Sequence, residues 1–459
     1  MIGSAEVSPI SPLPSNPKPK IAVVGSGAAG LGAAWALRDA ARVTLFEQEG
    51  RLGGHANTVR VDYDGADIPV DTGFIVFNTG NYPNFSAWLE HLGVKSRSTD
   101  MSFGFSIEGG VEWCSNGARG VFARKRNALT PSFLGMLRDV MRFNARAPRD
   151  LRKGRLENLS LGDYLDRLRA STVFRRNYLL PMGAAIWSAA ERDMLDYPAA
   201  AFIRFFKNHR LTHFVKPQWR TVLGGSIQYV ERVAQDLGPE RIRLNAGVDE
   251  VIRRADGVDL VGRDGQAERF DEVVLACHPD VSLKLLADPD PHETEALGAF
   301  RYADNQAVLH RDLSFVPQRT AARAAWNYMR ARNSDAAHVT YDMNRLQGID
   351  PSKPLFVTLN PRVDPDPALT FARFTYRHPQ YDLRAIAMQR RFNAVQGVRR
   401  TWFAGAWLGY GFHEDALRAG LRVALRLGGS APWPFVEGDM PGGAFGARGG
   451  IAAAAAAAE

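Results

Sequence analysis

Three glycines, Gly25, Gly27 and Gly30, follow the apolar run 21–24 and lead into an alanine-rich stretch, 31–38, that holds no helix breaker. Residues of this kind at this spacing bind the pyrophosphate of an adenine dinucleotide. Gly25 permits the tight turn out of a strand, Gly27 lets the backbone approach the phosphates, and Gly30 lets the next helix pack on the sheet. Ser26, Ala28 and Ala29 complete the loop, and the helix N-terminus faces the anion. A glycine loop alone is weak evidence, so its neighbours decide. Residues 43–46 read as a second strand ending on Glu47, about twenty residues on, where a carboxylate accepts hydrogen bonds from a ribose; Gln48 follows.

The glycine loop sees only the ADP half, which several dinucleotides share. Arg51, Leu52, Gly53 and Gly54 narrow the choice: paired glycines pass against a second part of the ligand, and Arg51 brings a cation near phosphate. The pattern Glu-x-x-x-Arg-x-Gly-Gly resembles that of the flavin-containing amine oxidase superfamily, with its amine oxidases, protoporphyrinogen oxidases and phytoene desaturases. Three more segments carry the resemblance. Val70 to Phe74, with Thr72 and Gly73, is similar to the turn placed against the flavin; Ala246-Gly247-Val248 is similar to the segment whose backbone contacts adenine. Residues 401–406, with Gly405 and Ala406, then Gly409 to Phe412 with Gly411 and a helix over 414–426, resemble the closing flavin motif. The resemblance implies FAD as cofactor.

Departures from that pattern carry information. Ala406 stands where the family commonly has an acid, so one ribityl or phosphate contact is missing or replaced. His55 replaces a frequent Arg and can touch phosphate, touch the isoalloxazine ring, or form a covalent flavin link. Amine oxidases often use a lysine that holds water against the flavin, and 301–310 contains none, which argues against amine oxidation.

The implied fold class is α/β: a discontinuous Rossmann-like FAD-binding domain (GR2 type) over 20–90, 218–290 and 395–430, with a mixed-sheet substrate domain over 291–394. Residues 91–217 form a largely helical insertion, with 161–169 a clear helix. The pair Gly224-Gly225 resembles the family's return to the dinucleotide domain, and 272–276 its closing strand; His278, just beyond, reads as structural. Residues 1–19 read as a disordered leader and 431–459 as a low-complexity tail. There is no internal repeat.

At 459 residues the chain is long enough for two or three cores. Two cysteines far apart, Cys114 and Cys277, argue against a disulfide framework and against zinc, and fit a reduced, cytoplasmic protein. No run approaches the roughly 18 to 20 apolar residues of a spanning helix.

The net charge of +8 is unevenly placed: 119–176 holds fifteen Lys and Arg against five acids. Within it, Phe133, Leu134, Leu137, Val140 and Met141 follow helical spacing beside Arg138 and Arg142, the signature of an interfacial anchor on an anionic membrane surface. The same spacing fits a core-facing surface helix. A second candidate, 201–210, sets Phe202, Ile203, Phe205 and Phe206 among basic residues. The expected location is cytoplasmic, peripheral at the membrane if these segments dock. No nucleic-acid recognition motif accompanies the basic charge. Association into a homo-oligomer stays open.

A flavin takes a hydride or two single electrons from a substrate held against its ring, so placement matters more than acid–base pairs. The polar candidates are His413 and Glu414 beside the closing motif, then Tyr302, Asn305 and His310 on the roof, then Trp326 and Tyr328; packing explains each equally well. With the missing lysine, the basic insertion favours a hydrophobic, lipid-like substrate. Gly53-Gly54-His55-Ala56-Asn57-Thr58 and Phe403-Ala404-Gly405-Ala406-Trp407 resemble the style of bacterial proteins that are similar to enzymes dehydrogenating methylated phospholipid acyl chains on the route to furan fatty acids, and that resemblance implies a desaturase or oxidase reoxidised by oxygen or a quinone. A soluble amine oxidase and a non-catalytic flavin-binding partner of a lipid-modifying enzyme are the alternatives.

Overall fold

The computed structural model describes residues 18–213, 217–332 and 337–438. The expected leader lies almost wholly outside these residues, as does most of the tail.

The glycine loop leaves the middle of a five-stranded parallel sheet. Its order is Thr401–Phe403, Glu272–Leu275, Lys20–Val24, Arg42–Phe46, Ile242–Arg243. Parallel strands buried on both faces read as continuous apolar runs, and Ile21, Ala22 and Val23 are fully enclosed. The helix Ala28–Leu37 is apolar all round because it is buried all round, with the closing helix His413–Arg426 crossing it at close range. Small residues make that crossing: a Cβ on Gly420 would lie 2.0 Å from the Ala29 carbonyl oxygen, and one on Gly32 2.5 Å from Leu417 Cδ1. This sheet therefore draws its strands from three distant stretches of chain. A three-stranded antiparallel sheet, Val248–Arg253, Val258–Gly262 and Ala267–Phe270, flanks it. There Arg253 is buried against Glu293 and Asp288.

The second large sheet has seven strands in the order Thr370–Gln380, Arg301–His310, Phe356–Leu359, Ala337–Asp342, Trp326–Arg330, Phe103–Ile107, Glu112–Cys114. It is mixed, since Trp326–Arg330 runs parallel to Phe103–Ile107 while its other pairs are antiparallel. Two of its strands come from within 91–217, and Ser96–Thr99 pairs with Trp219–Val222. The beginning of the expected helical insertion is thus strand. The alternation Phe103, Phe105 against smaller residues is a two-residue period that the helix-rich remainder masked.

The helices of the insertion include Pro131–Arg152, Leu161–Arg167, Leu180–Trp187 and Ala199–Asn208. Ser160 caps the second with a capping box closed by Asp163. The last corrects an expectation: Phe202, Ile203, Phe205 and Phe206 are all buried. Phe202 stacks on Phe206 at 4.2 Å, and Phe205 packs on Trp187 and Phe412. This segment is core, since four large apolar groups each contribute about 1.5–3 kcal/mol when enclosed. On Pro131–Arg152, Phe133, Met136, Phe143 and Ala147 face inward, whereas Leu134, Arg138, Met141 and Arg142 are exposed. No helix among the described residues is long and apolar enough to cross a membrane.

Candidate active site

The loop over 25–30 closes as its spacing demands. Gly25 has φ +100°, and a Cβ there would stand 2.9 Å from the Ala276 carbonyl oxygen. A Cβ on Gly30 would meet the Gly25 carbonyl oxygen at 1.8 Å and Ala276 Cβ at 3.2 Å. At Gly27, by contrast, nothing lies within 4 Å. That open side, with the first amides of the helix Ala28–Leu37, forms a cradle for an anion.

Glu47 is buried at its strand end, where it accepts from the Ser26 amide at 3.0 Å, Ser26 Oγ at 2.5 Å and the Glu49 amide at 2.9 Å. The segment before Val248 runs beside it, the Ala246 amide donating to the Glu47 carbonyl at 2.8 Å. Gln48 Oε1 accepts from Arg263 at 3.1 Å, and Arg51 is exposed. Gly53 donates to the Ser26 carbonyl at 3.0 Å, and Gly54 lays its backbone on Gly27, where a Cβ would stand 3.2 Å from Gly27 Cα.

Thr72, Gly73 and Phe74 fold back on this loop. The Phe74 amide donates to the His55 carbonyl at 2.8 Å, and a Cβ on Gly73 would come within 2.2 Å of that oxygen. In the closing motif the Ala406 carbonyl accepts from the amides of Gly409 at 2.9 Å and Gly411 at 3.1 Å, with Gly411 at φ +93°. Buried Asp415 accepts from the amides of Tyr410 and Phe412, both at 3.0 Å, which pins the loop to the helix behind Gly405.

The polar candidates separate by their partners. Glu414 is a correction: it accepts from the Asn84 amide at 3.1 Å, Asn84 Nδ2 at 2.6 Å and the Phe85 amide at 2.9 Å. It therefore caps the helix Pro83–His91 rather than facing a substrate, and burial pushes its carboxyl up to about 7. Asn305 is fully buried, with Nδ2 at 2.9 Å from His378 Nδ1. It holds a histidine rather than a reactant. Tyr302 lies on His278 with ring centroids 4.2 Å apart, under Arg377, which pairs with Asp280 at 2.9 Å. His310 is enclosed in the sheet, bonded to Thr358 Oγ1 at 2.7 Å. Tyr328 donates to Glu191 at 2.7 Å, and Trp326 packs edge-on against Tyr341. His413 stands at the start of the closing helix, Nε2 at 2.8 Å from the Tyr229 hydroxyl.

His55, His278 and His378 come together, the ring of His55 lying 6.3 Å from that of His278 and 5.4 Å from that of His378. Burial lowers His55 and His278 to about 4, and His378 and His413 to about 3, so all four rings are neutral near pH 7. His55 Nε2 is enclosed without a hydrogen-bond partner. Tyr376 closes the group, its hydroxyl 2.7 Å from Thr72 Oγ1 and 2.9 Å from Asn57 Nδ2. Sequence reading missed Tyr376 and His378. Their one signal was the two-residue alternation Phe374, Tyr376, His378 along a roof strand. Among the described residues no group of three or more metal-ligating side chains could hold a metal ion.

These residues fit FAD: an open cradle at Gly27 for pyrophosphate, a carboxylate at Glu47 for ribose, and a wall of neutral imidazole and phenol rings for a flat ring. When bound, FAD supplies the acceptor for a hydride or for two single electrons. Around it the chain contributes binding at the loop over 25–30, closure by the loop over 51–57 and the turn over 72–74, and a roof of neutral imidazoles and phenols.

A sequence profile for flavin containing amine oxidoreductases matches residues 28–310. No curated protein matches the chain significantly. Among solved structures, a putrescine oxidase variant has a TM-score of 0.69 at 15% identity, over 90% of this chain and 99% of that one. A CLA-producing fatty acid isomerase from P. acnes has a TM-score of 0.63 at 16% identity, over 90% and 99%. Cyclohexylamine oxidase from Brevibacterium oxydans IH-35A also has 0.63, at 16% identity over 90% and 99%. At such identities the likeness is one of fold, and a fold hosts many reactions. The profile match spans more than half of the chain and carries the conclusion: this protein belongs to the flavin containing amine oxidoreductase family and is an FAD-dependent oxidoreductase.

Proposed function

We propose that this oxidoreductase dehydrogenates a hydrophobic substrate, a methylated fatty acyl chain of a membrane phospholipid, with hydride passing to FAD and oxygen or a quinone reoxidising it. The neutral imidazoles gathered at the site carry this reading. Beside them the buried carboxylates Glu47, Asp71, Glu414 and Asp415 are occupied by donors of the protein itself, and Asp280, whose Oδ1 is buried without a hydrogen-bond partner, is neutralised by Arg377 at 2.9 Å. An ammonium substrate would look for a free carboxylate or a caging set of charges, whereas an acyl chain needs neither. A fatty acid isomerase with the same fold adds support.

The membrane side rests on one exposed ridge. Leu129, Leu134 and Met141 are 84%, 45% and 60% exposed, with Arg138 and Arg142 between them. Arg142 is partly neutralised by Asp139 at 3.3 Å and Arg146 by Asp150 at 3.4 Å, so the apolar groups carry more of the docking than the charges do. Flotation with anionic liposomes that survives Leu134→Asp with Met141→Asp would remove the ridge from the reading.

The substrate is tested by the visible spectrum of the anaerobic holoenzyme. Extracted membrane phospholipids bearing methylated acyl chains bleach the flavin, and a panel of primary amines does not. The reverse outcome makes the protein a soluble amine oxidase, the reading that the family's description and two of the similar folds favour.

A further inference from the structure

A chain of amides sets the protonation of His378. Asn360 Oδ1 accepts the Gln306 backbone N–H at 2.9 Å, so its Nδ2 is the donor to Asn305 Oδ1 at 2.7 Å. With Asn305 Oδ1 accepting, its Nδ2 turns the other way, donating to the Ala303 carbonyl at 3.2 Å and meeting His378 Nδ1 at 2.9 Å. An amide nitrogen offers hydrogens and no lone pair, so His378 Nδ1 must accept. In a neutral imidazole the proton then sits on Nε2. A backbone N–H thus dictates a tautomer two side chains away.

The committed Nε2–H has no hydrogen-bond partner among the described residues. Its strand, Thr370–Gln380, is tied to the cofactor loop through Tyr376, and its ring neighbours His55, whose residue follows the Gly54 that lies on Gly27. The donor therefore stands on the roof beside the cofactor cradle. The phosphates are already served by the loop amides and the helix N-terminus, and need no neutral donor from above. The oxidised isoalloxazine ring, with nitrogen and carbonyl acceptors and no charge, does.

We propose that His378 Nε2–H donates a hydrogen bond to an acceptor atom of the FAD isoalloxazine ring, with Asn305 and Asn360 as the positioning residues that keep the proton on that nitrogen. Reduction would place a hydrogen on N5 and added negative charge on N1 and the carbonyl oxygens, so a donor to N1 or a carbonyl stabilises the reduced form and raises the flavin's reduction potential.

The test uses substrate-free holoenzyme, so it stands apart from the question of which substrate is oxidised. The midpoint potential and visible spectrum of bound FAD are compared in wild type, His378→Ala, His378→Gln and His378→Asn. Glutamine carries an amide N–H near the Nε2 position; asparagine reaches only as far as Nδ1. The expected result is a shift toward oxidised FAD of about tenfold, about 30 mV for a two-electron couple, in the Ala and Asn variants, with Gln within about threefold of wild type. Nitrogen NMR of labelled histidine shows the proton on Nε2 in wild type, and a mixture of tautomers in Asn305→Leu. Equal potentials in all four proteins overturn the proposal, including the case in which the donor serves a substrate oxygen instead. A Gln variant that behaves like Asn, or a wild-type proton on Nδ1, overturns it too. Should the Ala variant fail to fold, the contrast between Gln and Asn decides.

Discussion

His413 lies flat on Phe74, their ring centroids 3.8 Å apart and their planes 7° from parallel. The contact joins the first residue of the closing helix to the turn after Gly73, across more than three hundred residues of chain. His413→Ala removes the stack and the Tyr229 hydrogen bond together. It should cost about 2–4 kcal/mol in chemical denaturation and release FAD more readily on dilution.

Gly27 and Gly30 should fail differently. Gly27 has ordinary extended φ and ψ and open space around it, so Gly27→Ala keeps the unloaded fold and its melting temperature while FAD affinity falls by about tenfold or more. Gly30→Ala drives a methyl into the Gly25 carbonyl, and it should yield little folded protein with or without FAD. Melting curves of the two variants with added FAD separate these outcomes.

Glu414→Gln tests whether that side chain caps a helix or handles a proton. Its two oxygens receive three N–H groups, and an amide would turn a donor toward one of them. The variant should lose about 1–3 kcal/mol of stability while the spectrum of bound FAD stays unchanged.

Acid should destabilise the fold through its histidines. Seven of them, His55, His209, His278, His310, His338, His378 and His413, are held neutral by burial with values lowered to about 3 or 4. Between the unfolded value near 6.5 and about 4 the unfolded chain binds more protons than the folded one, so stability falls as pH falls through that window. Asp71, raised to about 6, and Glu414, raised to about 7, oppose the trend, since their folded forms hold protons that the unfolded chain releases. Burial raises Glu191, Asp342 and Asp415 as well, and seven groups outweigh five: denaturation midpoints should drop steadily from pH 7 to pH 5, and His310→Leu with His338→Leu should flatten the slope.

The cofactor end of the molecule was legible because its demands are local. A turn at positive φ, a backbone approach and a helix seat each select glycine within six residues, and Glu47 follows at strand spacing. The roof was less so. His378 acquires its meaning from Asn305, on the neighbouring strand, and Asn360, just past the end of a third, and a pairing of strands seventy residues apart leaves no mark in a window of sequence. The aromatic segment over 201–210 misled for the converse reason: basic residues among phenylalanines look alike at a bilayer and at a core edge, and only the neighbours, Trp187 and Phe412, tell them apart.

The crossing of Ala28–Leu37 by His413–Arg426 has a consequence for biosynthesis. The dinucleotide loop leaves the ribosome more than three hundred residues before the edge strand Thr401–Phe403 and the helix that covers its own helix. Nascent chains halted before residue 401 should therefore carry the glycine loop over 25–30 and still not retain FAD, which places cofactor capture after the helix His413–Arg426 has emerged.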